Sequence, residues 1–406
     1  MSSFALQKKR AETLSKSTNE PVYRILFLIS LCHLLNDSLQ SVVTAMFPIL
    51  EKEMNLSYTQ MGFIVFSLNI VSSLMQPVIG IVSDKKPMPY ALPAGLTFSF
   101  IGMIGLSVTD SYLGIIGSVL LLGIGSATFH PEGSRVVYMA AGNKRGTAQS
   151  IFQVGGNTGQ ALAPLMAAFI LLPLGLEKGT FIFAFVALTA VIFLVFVSRW
   201  YASQLSSNNL NLKKNAASRH NSAIDKRVGW VLVILLLFIF TRTWYLQAIS
   251  NFYTLYSIEV YDFQIKTSQI YLFAFLGAGA LGTFFGGPLA DRFGKKNIIS
   301  ASIIMTIPLA LLLPHVDPVF AFILLVFIGF ILMTSFSVTV VYAQELVPGR
   351  IGLMSGLTVG LAFGLGAIGS VALGNIADMI GLEMMMISIS FLPILGLITF
   401  LLPKNE

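Results

Sequence analysis

Residues 287–296 read GPLADRFGKK, a polar stretch that separates two long apolar runs. Residues 80–89, GIVSDKKPMP, hold the same position between two earlier apolar runs. A Gly-x-x-x-Asp pattern opens both stretches, and its two copies are 207 residues apart. Two matched polar loops at one spacing predict a chain built from two similar halves.

The apolar runs around these loops identify the broad class of protein. The chain has 406 residues, of which 55% are hydrophobic and only 11% are charged, whereas soluble domains have about 25% charged residues. Runs near the ~20 residues that cross a bilayer recur along the whole chain. We predict an all-α integral membrane protein with twelve transmembrane helices in two pseudo-symmetric six-helix halves. The predicted spans are 24–48, 58–82, 89–107, 112–139, 148–173, 180–198, 228–256, 268–290, 297–314, 318–342, 352–378 and 382–402.

The longest polar segment lies in the middle of the chain, at 201–228. It is rich in Ser, Asn and Lys and has few large apolar residues, a composition typical of a flexible linker. It divides the chain into predicted domains of 1–200, with an N-terminal tail and six helices, and 229–406, with six more. A parallel repeat of six helices is typical of one large class of transporters.

The basic residues predict the orientation. An even number of spans puts both chain ends on one face of the membrane, and this face carries 20 of the 25 Lys and Arg residues. The opposite face carries only Lys52, Lys178 and Lys266. By the positive-inside rule we predict a multi-pass protein of a bacterial cytoplasmic membrane with both termini in the cytosol. The formal charge of +7 is then a topology signal, and nucleic-acid binding is not predicted.

The GPLADRFGKK loop resembles the signature loop of the major facilitator superfamily. In the first-half copy, Lys85 and Pro87 stand where the pattern has arginine and glycine, so its contacts are expected to be weaker. The resemblance implies close backbone approach at Gly287 and a contact between Asp291 and the start of the fifth span, near Ala148. The residues predicted to gate the cytoplasmic face are Gly80, Asp84, Gly287, Asp291, Arg292 and Gly294.

Glycines at four-residue spacing mark two of the predicted spans. Such stripes let helices touch backbone to backbone, and packing is the interpretation we favour. They comprise Gly155 and Gly159 in the fifth span and Gly352, Gly356, Gly360 and Gly364 in the eleventh.

Four charged residues inside the predicted spans indicate a functional site. A charged side chain in a span costs about 2.5–3.5 kcal/mol on insertion scales, so it is seldom kept without a role. Two acids and two arginines balance in charge; they are Asp37, Glu132, Arg135 and Arg242. A purely structural ion-pair cluster is the competing interpretation, but apolar residues would hold the helices at least as well. We therefore predict a wet, titratable binding site between the halves.

Nearby polar residues complete the predicted site. Asp37 and Arg242 are 205 residues apart, close to the repeat spacing, so we expect them to face each other across the cavity. The residues predicted to carry protons are Asp37, Glu132, His33 and His130. The residues predicted to bind substrate, led by guanidinium groups that suit phosphonates and carboxylates, are Arg135, Arg242, Asn36, Gln40, Tyr245, Gln247 and Asn251.

The sequence also excludes several kinds of protein. It contains no Gly-x-x-x-x-Gly-Lys-[Ser/Thr] phosphate loop, so we do not expect the chain to hydrolyse ATP. His130 and Glu132 begin the His-x-Glu pattern of zinc deaminases, but that site needs two further cysteines and Cys32 is the only one. No enzymatic activity, cofactor or metal is predicted.

Four stretches further resemble drug exporters of the superfamily that confer resistance to a phosphonate antibiotic. They are 30–41, 129–135, 146–164 and 341–357. The resemblance implies export of small anionic compounds in exchange for protons. A proton-coupled importer of an anionic metabolite remains the close alternative, and a membrane receptor or scaffold that transports nothing is a weaker one.

Overall fold

The computed structural model describes residues 20–142, 144–208, 226–347, 354, 358 and 361–403, which are almost entirely helical and contain no strand. The helices are α1 (Tyr23–Ala45), α2 (Phe47–Met54), α3 (Tyr58–Lys85), α4 (Ala91–Val108), α5 (Tyr112–Ala140), α6 (Arg145–Met166), α7 (Leu172–Asn208), α8 (Lys226–Tyr261), α9 (Ile265–Phe293), α10 (Lys295–Leu312), α11 (Pro318–Leu346), α12 (Leu361–Ile380) and α13 (Leu382–Ser390). A π-helical turn, Ala167–Leu171, joins α6 to α7, and a 3₁₀ segment, Leu392–Leu401, follows α13.

The described helices are consistent with twelve spans. Ten continuous helical segments are long and apolar enough to cross a membrane. One of them, Thr147–Ser206, supplies two spans because the backbone leaves the helical region at Gly175, where φ is 79°. The shorter α12 supplies the remaining span. The all-helical membrane architecture predicted from the sequence is confirmed.

Segment boundaries differ from the predicted ones at several places. Helix α7 continues as far as Asn208, so residues 201–208, assigned to the linker by composition, are helical. Residues 209–225 lie outside the described part of the chain, as does most of 348–360 at the start of the predicted eleventh span. The last span is α-helical only to Ser390 and then tightens to a 3₁₀ helix.

The packing of the helices repeats between the halves. In the first half α1 packs against α6, α3 against α5, and α4 against both α5 and α7. The second half repeats these contacts: α8 packs against α12, α9 against α11, and α10 against both α11 and the 3₁₀ segment. The contacts between halves are also paired, since α3 meets α12 and α6 meets α9. The structure therefore has the pseudo-two-fold arrangement that the loop repeat indicated.

A backbone detail supports the same duplication. Asn55 and Asp262 are the two non-glycine residues with positive φ in the described chain, at 51° and 54°. Asn55 follows the short helix α2 that ends the first span of its half, and Asp262 follows α8, the first span of the other half. They are 207 residues apart, the spacing of the matched loops. Asn and Asp tolerate this left-handed conformation better than other non-glycine residues. Both halves thus turn between their first two spans in the same way.

The glycine stripe of α6 packs as predicted. A Cβ atom at Gly155 would overlap the Ser30 carbonyl oxygen, and one at Gly159 would overlap the Leu34 carbonyl oxygen, both in α1. The two helices are therefore in backbone contact. Of the matching stripe near the eleventh span, only Gly364 is described, and a Cβ atom there would meet open space.

Candidate functional site

A cavity of about 200 Å³ lies where the two halves meet. Helices α1, α3, α5 and α6 line it from the first half, and α8, α9 and α11 line it from the second. Six of the predicted site residues reach its wall: Asp37, Gln40, His130, Arg242, Gln247 and Asn251. Asp37 and Arg242, which the repeat spacing placed on opposite sides, line the same cavity from opposite halves.

The Asp37 carboxylate is the centre of a polar cluster between α1, α5 and α6. Its side chain is buried, with the residue only 5% exposed. The Asn36 amide donates to Oδ1 at 2.9 Å, and the Gln160 amide donates to Oδ2 at 3.0 Å. Two fixed donors orient the carboxylate toward the cavity, so its position does not depend on a substrate.

Two histidines flank this carboxylate from different helices. His33 Nε2 lies 3.4 Å from Asp37 Oδ2, and His130 Nε2 lies 3.7 Å from Asp37 Oδ1. His33 Nδ1 lies 2.7 Å from the Phe152 carbonyl oxygen. Because a carbonyl only accepts, Nδ1 carries a proton and Nε2 is the titratable nitrogen. A proton on Nε2 makes the contact with Asp37 an ion pair, whereas its loss leaves two acceptors facing each other.

The same three side chains are also a possible donor set for a metal ion. One ligand atom each from His33, Asp37 and His130 can be chosen so that all lie within 4.8 Å of one another. Imidazole and carboxylate donors are accepted by several divalent transition metals. A chelator distinguishes a metal site from a group of titratable side chains here.

Arg242 supplies the positive charge on the other wall of the cavity. The residue is 2% exposed, and its guanidinium lies 5.4 Å from the Phe238 ring centre and 5.2 Å from that of Phe336. Its Nη1 donates at 3.5 Å to the hydroxyls of Ser335 and Thr339, one helical turn apart on α11. Within the described chain no carboxylate forms an ion pair with it. A positioned guanidinium without a counter-ion suits an anionic ligand.

Glu132 and Arg135 lie elsewhere, although the sequence grouped them with the central site. Glu132 is 0% exposed and does not line the cavity. It and Arg135 interact electrostatically with the Tyr201 hydroxyl, but neither Glu132 oxygen has hydrogen-bonding geometry with any described group. Arg135 Nη2 donates to the Ser83 hydroxyl at 3.1 Å, in the first-half copy of the loop motif. These residues form a second polar cluster inside the first half.

The remaining predicted substrate residues are divided between wall and core. Tyr245 is fully buried away from the cavity lining, and its hydroxyl has no hydrogen-bond partner among described groups. Asn36 reaches the site only through Asp37. Asn251 lines the cavity and donates to the Ser370 hydroxyl at 2.9 Å.

Sequence reasoning missed several residues of the cavity and its supports. Gln160 and Asn157 line the wall from α6, one turn apart, in a stretch interpreted only through its glycines. Their three-residue spacing on one face was the signal available. The rings of Phe238 and Phe336 gave no signal, because aromatic residues are common throughout membrane spans.

The predicted gating residues lie at the face of the chain ends. Gly294 ends α9 with φ of 86°, and its N–H donates to the Ala290 carbonyl at 2.8 Å. A Cβ atom at Gly80 or Gly287 would meet nothing within 4 Å, so the close approach expected at Gly287 is absent in this conformation. Asp291 and Arg292 are exposed. The expected contact of Asp291 with α6 is not present among described residues, and the side chain of Asp84 lies outside the described part.

Gly156 has no side chain, and this leaves space for the cluster around Asp37. A Cβ atom there would lie 2.5 Å from His33 Nε2 and 2.9 Å from Asp37 Oδ2. Gly156→Ala is therefore expected to displace both groups and to destabilise the protein by about 1–3 kcal/mol through overpacking. The unfolding midpoint of the purified protein measures the effect. Gly117→Ala is the matched control, because a Cβ atom at Gly117 meets open space. Equal behaviour of the two variants would contradict this account of the cluster.

Two six-helix halves around a central polar cavity define a membrane transporter. The family model of the Major Facilitator Superfamily matches residues 26–358, and the chain belongs to that superfamily. It is 57% identical over 385 residues to the "Uncharacterized MFS-type transporter YfnC" of Bacillus subtilis (strain 168), covering 95% of this chain and 94% of that protein. It is 44% identical, with the same coverage, to the "Fosmidomycin resistance protein" of Escherichia coli (strain K12).

Solved structures agree on the fold. The chain matches the crystal structure of a bacterial homologue of the human lysosomal transporter Spinster, in its inward-facing and unoccupied conformation. The TM-score is 0.74 at 15% sequence identity, covering 94% of this chain and 96% of that one. The membership of the superfamily that the sequence motifs predicted is confirmed, and the chain is a transporter rather than an enzyme.

Proposed function

We propose that this transporter exports small anionic compounds, fosmidomycin-like phosphonates among them, in exchange for protons. The observation that carries the proposal is the pairing of charges in the cavity. From the second half, Arg242 presents a guanidinium that has no described counter-ion. From the first half, Asp37, flanked by His33 and His130, presents a group that can hold a proton. We propose that the protein is located in a bacterial cytoplasmic membrane, with both chain ends in the cytosol.

The proposed roles follow from this geometry. Arg242 binds the anionic group of the substrate through its unoccupied donors, while Gln40, Gln247 and Asn251 contact the rest of the molecule. Asp37 and the two histidines hold the exchanged proton. Glu132 and Arg135 lie outside the cavity wall, so we assign them an indirect role in supporting the first half.

The name of the relative supports both the cargo and the direction. The 44% identical protein is called a fosmidomycin resistance protein, and resistance through a transporter requires removal of the drug from the cell. A proton-coupled importer of a small phosphorylated or carboxylated metabolite is the alternative, because Arg242 would receive its anion equally well.

The direction of proton movement distinguishes the proposed exporter from the importer alternative. The purified protein is reconstituted into liposomes that contain a pH-sensitive dye, and fosmidomycin is added to the outer solution. Exchange predicts that the drug's entry makes the lumen more alkaline, whichever way the protein inserts. Acidification of the lumen would instead indicate co-transport and the importer alternative. The proposal is overturned in favour of a receptor or scaffold if the luminal pH changes no more than in protein-free liposomes, both with fosmidomycin and with simple anionic metabolites.

A further inference from the structure

The far face of the protein, opposite the chain ends, is where the two halves are bonded to each other. It is formed by the last turns of α1 and α12 and the first turns of α3 and α9. Hydrogen bonds between described residues of opposite halves all lie at this face. The Gln269 amide of α9 donates to the Ala45 carbonyl at 2.8 Å, and the Tyr58 hydroxyl of α3 donates to Glu259 of α8 at 3.0 Å.

Asp378, in the last turn of α12, makes the most specific of these contacts. One carboxylate oxygen accepts from the Tyr58 N–H and the other from the Thr59 N–H, each at 2.8 Å. These are the first two N–H groups of α3, which have no acceptor within their own helix. A carboxylate at a helix N-terminus is also favoured by the helix dipole. One half of the transporter therefore caps a helix of the other.

Close backbone packing brings the carboxylate to this position. A Cβ atom at Gly374 would overlap the Tyr58 carbonyl oxygen, and one at Gly62 would overlap the Ser370 carbonyl oxygen. Helices α3 and α12 thus touch along more than one turn. At the pseudo-equivalent start of α9, Gln264 makes no side-chain capping bond, and no described residue of the first half accepts from the first N–H groups of α9.

We propose that Asp378 is a releasable latch that holds the far face closed, and that releasing it lets the cavity open toward that face. The bonds to Tyr58 and Thr59 are exposed, so water can replace the carboxylate when the helices separate. The latch is distinct from the loop motif, which lies at the opposite face. The proposal depends on the transporter fold and not on the substrate or on proton coupling.

Distances between spin labels test the latch without assuming an orientation in the membrane. Cysteines replace Asp110 and Gln264, two exposed far-face residues in opposite halves, in a Cys32→Ala background, and the full-length protein is placed in lipid nanodiscs. Asp378→Ala is expected to raise the ratio of long to short distances by about tenfold, because two charge-assisted hydrogen bonds are lost but water compensates for much of that loss at this exposed position. Asp378→Asn, which keeps one acceptor oxygen, should give an intermediate ratio.

Glu53→Ala is the control, because Glu53 is an exposed far-face acid without a described bond to the other half. If Asp378→Ala gives the same distance distribution as this control, the latch does not exist. Should Asp378→Ala fail to fold, Asp378→Asn takes its place, and a distribution equal to that of the control overturns the proposal in the same way.

Discussion

Replacing Arg242 by glutamine is expected to weaken binding of a phosphonate drug by at least about 100-fold, because two charge-assisted hydrogen bonds are worth roughly 3 kcal/mol or more together. Phe238, Phe336 and the two α11 hydroxyls fix the guanidinium before substrate arrives, so little binding energy is spent on ordering it. Calorimetry on purified protein in detergent measures the dissociation constant.

Two further variants show whether a loss of binding in Arg242→Gln comes from the missing guanidinium. Arg242→Lys keeps the charge but not the planar pair of donors, and should fall between glutamine and wild type. Arg199→Gln removes an exposed arginine of α7 that does not line the cavity and should bind normally. Normal affinity in Arg242→Gln would place the anion elsewhere, whereas a loss of thermal stability equal to the loss of binding would indicate a structural role for Arg242.

Asp37→Asn is expected to abolish substrate-driven proton movement while leaving substrate-for-substrate exchange across the liposome membrane. The asparagine side chain resembles a carboxyl group that cannot release its proton, and its oxygen still accepts a hydrogen bond. The variant should therefore behave as a carrier fixed in one protonation state. Net uptake driven by a pH gradient should fall by at least about tenfold, and what remains should lose its pH dependence.

Controls for this experiment come from the same chain. Asp110→Asn removes an exposed carboxylate of the same half and should leave coupling intact. Glu132→Gln, outside the cavity wall, should retain more coupling than Asp37→Asn. EDTA should leave the wild-type flux unchanged if His33, Asp37 and His130 hold protons rather than a metal ion. Full proton exchange in Asp37→Asn would rule out this carboxylate as the carrier.

Hydrophobic runs and the loop repeat were sufficient to predict the fold because the bilayer restricts the options so strongly. A backbone in hydrocarbon must satisfy its own hydrogen bonds, so a long apolar run is a helix with few exceptions. Helix ends lie in or near water and lack this restriction. The extension of α7 to Asn208 and the 3₁₀ winding after Ser390 therefore could not be read from hydropathy.

The site was predictable only in part, for a related reason. Asp37 and Arg242 could be found because charge within a span is costly, and the repeat spacing indicated that they face the same cavity. The spacing of Glu132 and Arg135 put them on one face of α5 but could not identify that face. Helix α5 packs against α3, α4 and α6, so several of its faces meet protein rather than the cavity. Tyr245 illustrates the same limit, since it is three residues from Arg242 yet buried in the core.

The guanidinium of Arg242, which has no ion-pair partner among the described residues, has a consequence for which step limits the transport cycle. Any carrier that changes sides must pass through an occluded state, sealed from water at both ends. A carrier without its anion would have to seal this positive charge there, and taking one ion out of water costs several kcal/mol even after relaxation. A bound anion at Arg242 would remove most of that penalty. We therefore expect the anion-loaded carrier to reorient faster than the anion-free one, so that the return of the anion-free carrier limits turnover.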